Sequence, residues 1–286
     1  MSVKVITDST SYIPKNMVEE LSIGIIPLRV SFDEETFVEN EITNDFFYKK
    51  LDEKGEIPIS SQPSIDFFYN MFEKEIKIGN EIVGVFISAD MSGTFSTAVM
   101  VKNMILKEYP KAKIKILNSK SNSMQLGYAA IEGARISKAG GAFNDVVETI
   151  ENTIKRTRFL FIPDTFKYLK KGGRIGSAQA LLGSLLKIKP ILTVNDGKTD
   201  VMEKIRTRKK AIEKMIDVFL KDIEQYGFKD AIIHHINCDN DAQEFADLIK
   251  EQTGKIIDKI PIGPVIGTHV GPGAIGIVYL TENDMI

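Results

Sequence analysis

The chain has 286 residues, 43% hydrophobic and 27% charged, with a formal net charge of −2, one cysteine and three histidines. Such a balance fits one large or two ordinary folded domains and excludes the basic footprint of a nucleic-acid binder. A lone Cys238 excludes an internal disulfide, no stretch approaches the ~18 apolar residues of a membrane span, and the opening MSVKVITDST reads as a strand, not a leader. The expectation is a cytoplasmic protein.

In chain order, VKVIT (3–7) is a strand, Pro14 opens a short helix through Leu21, and IGIIPLRVSF (23–32) is extended. Helices are expected at 44–53 and 64–77, then the strand EIVGVFI (81–87) and a helix from Gly93 to Lys107. KIKIL (113–117) precedes a helix at 122–138, and FNDVVETIENTIKRT (143–157) is amphipathic at helical spacing. This βα alternation predicts a mainly parallel sheet covered by helices.

The second half reads differently. RFLFI (158–162) is a strand, TFKYLKKGG (165–173) a short helix stopped by two glycines, and 177–187 a helix. PILTV and VMEKIR flank Asn195-Asp196-Gly197-Lys198, a hairpin turn. A long helix spans 207–225, followed by strand 231–237, helix 240–253, strand 255–260 and strand 274–280. The fold expected is two packed α/β domains, 1–157 with a mainly parallel sheet and 158–286 with a mixed one.

GTHVGPGAIG (267–276) contains a G-x-G-x-x-G at Gly271, Gly273 and Gly276. A dinucleotide site needs a strand before these glycines, a helix after them and an acidic residue about 20 further on. Here a strand follows and only ten residues remain, so the motif reads as a tight turn carrying His269. The other histidines, in HHINCDND (234–241), alternate faces of a strand and cannot easily share a metal ion. Asp239 and Asn240 read as helix caps.

ISADMSGTFSTA (87–98) leaves a buried-type strand and enters a helix with Ser92, Gly93 and Thr94 at the junction. Free backbone N–H groups and the dipole make such a junction an anion site; the plainer alternative is a helix cap. TDSTS (7–11), ISSQPS (59–64) and NSKSNS (118–123) are similar. Four hydroxyl-rich loops after strands of one sheet would line its carboxyl edge, where α/β proteins hold ligands. Phe67, Phe68, Phe95 and Met91 flank the region, where apolar residues are more often plain core than ligand lining. A G-x-S-x-G elbow is absent around Ser92, and GGRIGS lacks the ending of a phosphate loop.

Together TDSTS, SSQPS, MSGTFS, YLKKGGRIG, EKIRTRKKAI and GPVIGTHVGPGAIG resemble, in this order and over essentially the whole length, the DegV family of bacterial fatty-acid-binding proteins. The resemblance implies two α/β domains that bury a long-chain fatty acid, with no cofactor and no metal. It implies that Ser92 and His269 contact the carboxylate, with Thr94 and Ser61 beside them. Ser60 stands where the family commonly has a carboxylate-binding threonine. Arg174 and Arg206 match basic positions that face the ligand entrance and a partner, the ATP-binding subunit of fatty acid kinase. That subunit phosphorylates the presented carboxylate, and the acyl phosphate enters phospholipid synthesis. No nucleic acid and no membrane span are expected, at most transient contact with a membrane surface. The alternative is a serine hydrolase acting on acyl substrates, with His269 as base for Ser92.

Overall fold

The computed structural model describes residues 2–182 and 188–285. Contacts divide the chain into two units, Met1–Arg29 with Ser61–Lys155, and Val30–Ser60 with Arg156–Ile286. The sequence reading put residues 30–60 in the first half; by contact they group with the second.

The chain opens with β1 (Val3–Asp8), α1 (Lys15–Glu20) and β2 (Gly24–Ile26). The inserted segment carries β3 (Arg29–Phe32), β4 (Glu35–Val38), α2 (Asn44–Lys54) and β5 (Ile59–Ser61). It forms a small sheet of order β4-β3-β5. The first unit resumes with α3 (Ile65–Lys77), β6 (Glu81–Phe86), α4 (Thr94–Glu108), β7 (Ile114–Asn118), α5 (Ser123–Lys138) and α6 (Phe143–Lys155). Its sheet, β2-β1-β6-β7, is parallel throughout. Ile6, Phe68, Phe72, Phe86, Val101 and Ile105 form the core on one face, which settles Phe68 as core. Ser64 caps α3 by accepting from Phe67 N, and Phe68 and Phe72, one turn apart, face inward.

The second unit continues with β8 (Thr157–Ile162), α7 (Lys167–Lys171), a 3₁₀ turn at Gly176–Leu181, β9 (Ile191–Asn195) and β10 (Lys198–Glu203). Then come α8 (Arg208–Tyr226), β11 (Asp230–His235), α9 (Asp239–Thr253), β12 (Asp258–Pro261), α10 (Pro264–Val270) and β13 (Ile275–Leu280). The sheet order is β10-β9-β8-β13-β11-β12, antiparallel except for β11 with β12. Asp196 and Gly197 take φ of 45° and 86°, the doubly left-handed turn that joins two strands tightly.

Four local readings change. The helix expected at 177–187 is a short 3₁₀ turn as far as residue 181, and 183–187 lie outside the described residues. Ser60 and Ser61 are on a strand of the inserted sheet, so three of the four hydroxyl-rich loops, not all four, follow strands of the parallel sheet. Cys238 is the N-cap of α9 and Asp239 lies in its first turn, so Asp239 and Asn240 are not caps. Residues 267–270, read as part of a tight turn, belong to a helix, Pro264–Val270, with Pro264 at its start, where proline's missing N–H costs nothing.

Candidate functional site

In the second unit, His269 sits in the last turn of α10. Its Nε2 lies 2.7 Å from Ser60 Oγ on β5. The inserted segment also grips α10 elsewhere. Buried Glu39 accepts from Val265 N at 2.8 Å in the helix's first turn, Asn44 Nδ2 donates to Ile262 O at 3.1 Å, and the Tyr48 hydroxyl lies against Gly267. A carboxylate at a helix N-terminus meets unpaired N–H groups, so Glu39 stabilises the helix that carries the imidazole.

The ring's other nitrogen, Nδ1, is buried and finds no hydrogen-bond partner among the described residues. It faces Gly172, where an added Cβ would stand 2.2 Å from Nδ1. Burial, and then the nearby Arg174 charge, push the His269 pKa down to about 4. The ring is therefore neutral at pH 7 in the ligand-free chain. Arg174 itself is exposed, and its Nη1 donates to Gly172 O. Arg206 is also exposed and precedes the Thr207 cap of α8, whose side chain accepts from Lys210 N.

In the first unit, Ser92 Oγ and Thr94 Oγ1 lie 2.8 Å apart, and Thr94 N donates to Ser92 Oγ at 3.3 Å. Thr94 is buried and Ser92 half-buried. Position 93 is the N-cap of α4 and gives it no side-chain cap. A Cβ there would meet only Gln62 Oε1, at 2.1 Å, the end of an exposed side chain that can swing away. Ser61 is exposed. Phe67 is 40% exposed, and Phe95 and Met91 are half-buried.

The loop bearing Ser92 is anchored by a residue that sequence reading passed over. Asp8, fully buried at the end of β1, accepts from Ile87 N at 2.7 Å and from Thr10 N at 3.0 Å. The Thr10 hydroxyl donates to it as well. Burial raises its pKa to about 6, against the lowering effect of these three hydrogen bonds. Its signal in the sequence is the acid inside TDSTS, set among more conspicuous hydroxyls. Gly172 and Glu39 left no comparable mark, because what they touch is more than 90 residues away.

These positions pair as Ser60 with His269 and Ser92 with Thr94, each pair inside one unit. His234 and His235 stay out of both pairs. His234 is fully buried, donates through Nδ1 to Ile260 O at 2.9 Å, and is lowered to about 4 by burial. Among the described residues no cluster of three potential ligands could hold a metal ion. No helix there is long and apolar enough to cross a membrane.

A sequence profile described as "Uncharacterised protein, DegV family" matches residues 2–282. The chain belongs to the DegV family. A DegV domain-containing protein of Clostridium acetobutylicum is 50% identical, with 100% of each chain covered. The crystal structure of DegV from Bacillus subtilis, described as a fatty acid binding protein, is 34% identical and superposes with a TM-score of 0.88, covering 99% of this chain and 100% of that one. A fatty acid binding DegV family protein of Streptococcus agalactiae is 28% identical, with a TM-score of 0.89 and coverage of 99% and 100%.

Proposed function

We propose that this DegV protein binds one long-chain fatty acid and presents its carboxylate to an ATP-binding kinase subunit, which forms the acyl phosphate. The observation that carries the reading is the Ser60–His269 pair, set in a fold that solved relatives described as fatty acid binding share along its whole length. A hydroxyl held by a buried, neutral imidazole suits a carboxylate, which accepts hydrogen bonds and needs oriented donors. On the same resemblance Ser92, Thr94 and Ser61 are carboxylate contacts, each to be tested by itself.

Affinity comes from the tail. At roughly 0.8 kcal/mol per methylene, about 14 methylenes contribute on the order of 11 kcal/mol, offset by about 4 kcal/mol or more for association. Each hydrogen bond to the charged head adds about 1.5–3 kcal/mol. The head contacts therefore orient what the tail holds.

A hydrolase is the poorer reading. Its base needs a partner on Nδ1 to hold the ring and stabilise the imidazolium, and His269 Nδ1 has none among the described residues. The test is to strip lipid from the protein, titrate it with oleate, then add the kinase subunit and ATP and trap acyl phosphate with hydroxylamine. Arg206→Ala should bind oleate normally and slow the trapped product. Loss of oleate affinity in that variant, or unchanged product formation, removes Arg206 from the kinase-facing surface. No oleate binding by the wild type removes the function.

A further inference from the structure

Two proton arrangements satisfy the 2.7 Å contact between Ser60 Oγ and His269 Nε2. In the first, the serine hydroxyl donates to a bare Nε2, and the ring proton sits on Nδ1. That proton would be buried, without an acceptor among the described residues, and pressed toward Gly172. A buried, orphaned N–H is among the rarest features of folded proteins, because it forfeits the whole of its hydration.

In the second arrangement, Nε2–H donates to Ser60 Oγ and Nδ1 is bare. An unused lone pair costs less than an unused N–H, and the Gly172 methylene offers it a weak C–H donor. Arg174 pushes the same way. Its Nη1 donates to Gly172 O at 2.5 Å, which holds the guanidinium charge at the residue that Nδ1 faces, and that charge acts against a ring proton. A nearby cation favours a lone pair over an N–H dipole pointing at it.

We propose that Gly172 and Arg174 are positioning residues that hold His269 as its Nε2–H tautomer, which makes the Ser60 hydroxyl the donor offered to the ligand carboxylate. The inference deepens the carboxylate reading of this site and rests on it. Ser60 accepts from the imidazole, so its own hydrogen is released from the ring and left for the ligand. The histidine fixes the hydroxyl instead of deprotonating it, since a protonated Nε2 cannot take the serine's proton. Gly172, two residues before Arg174 at the end of α7, is small because the ring fills the place of its side chain.

The tautomer can be read without any ligand. In ¹⁵N-labelled, lipid-free protein, long-range ¹H–¹⁵N spectra resolve three imidazoles, with His269 assigned by its loss in His269→Gln. The expected pattern is a protonated Nε2 and a bare Nδ1; a protonated Nδ1 overturns the proposal. Arg174→Gln should raise the ring's pKa, because a neighbouring cation has been removed; an unmoved pKa overturns the part given to Arg174. Oleate titration then tests the donor. Ser60→Thr, which keeps the hydroxyl, should bind within a few-fold of wild type, and Ser60→Ala should bind roughly tenfold or more weakly. Wild-type affinity in Ser60→Ala overturns the donor role, and with it the carboxylate reading, even where the ring signature stands.

Discussion

Gly172→Ala tests the site through its back wall. Gly172 has φ −74° and ψ −10°, a conformation alanine adopts freely, so the backbone pays no penalty. The side chain does. Its Cβ would stand 2.2 Å from His269 Nδ1 and 3.1 Å from Cε1, where ordinary contact begins near 3.4 Å. The ring must retreat by about 1.2 Å. Its two nitrogens face nearly opposite ways, and Nε2 is already 2.7 Å from Ser60, so it cannot retreat straight back. It must swing aside and break the Ser60 contact. Losing one oriented hydrogen bond to a charged head costs about 1.5–3 kcal/mol, roughly ten- to hundredfold in affinity, while tail burial is untouched. The assay is displacement of a fluorescent fatty acid by oleate, with thermal melting in parallel to confirm a folded chain. A folded variant that binds oleate within twofold of wild type would refute the claim that His269 and Ser60 must stay in register.

His269→Gln keeps a donor and should retain part of the oleate affinity and of the kinase-dependent product, whereas His269→Ala should lose more of both. Fast turnover of an activated acyl ester by wild type, abolished in both variants, would instead mark an enzyme. Ser92→Ala should weaken oleate binding without unfolding the chain, because Ser92 is half-buried and its tie is to Thr94; unchanged affinity removes Ser92 from the head-group contacts. Acid should destabilise the fold through His234, whose folded pKa of about 4 lies below its unfolded value of 6.5. That contribution is present above 6.5 and is lost as pH falls toward 4, about 2 kcal/mol by pH 5. Asp8, raised to about 6, acts oppositely, so the readout is wild type against His234→Gln between pH 7 and 5, and a constant difference contradicts the argument.

Long periodic segments were legible because their signals are local. The apolar spacing of α3 and α6, the Asp-Gly hairpin turn and the βα alternation each follow from residues a few positions apart. The grouping of residues 30–60 with the second unit was not legible. Nothing in that stretch marks an insertion; its place is set by Glu39 reaching Val265 and Asn44 reaching Ile262, more than 200 residues on. For the same reason the last residues of α10 read as part of a turn. Its seven residues hold Gly267 and two β-branched side chains before Thr268, a weak helix on propensity alone, stabilised by a distant carboxylate. His269 and Ser60 were each picked out for their chemistry, but their hydrogen bond spans 209 positions and no spacing rule reaches that far. Gly172 illustrates the limit best. In KKGGR it reads as a helix stop, and its contact with an imidazole belongs to the folded chain.

The most direct measurement is native mass spectrometry of the protein purified from a bacterial host. A fatty-acid-binding protein should carry an added mass equal to one long-chain fatty acid, and denaturation should release that acid for identification. A chain that flies bare, and stays bare after incubation with oleate, would contradict the central claim.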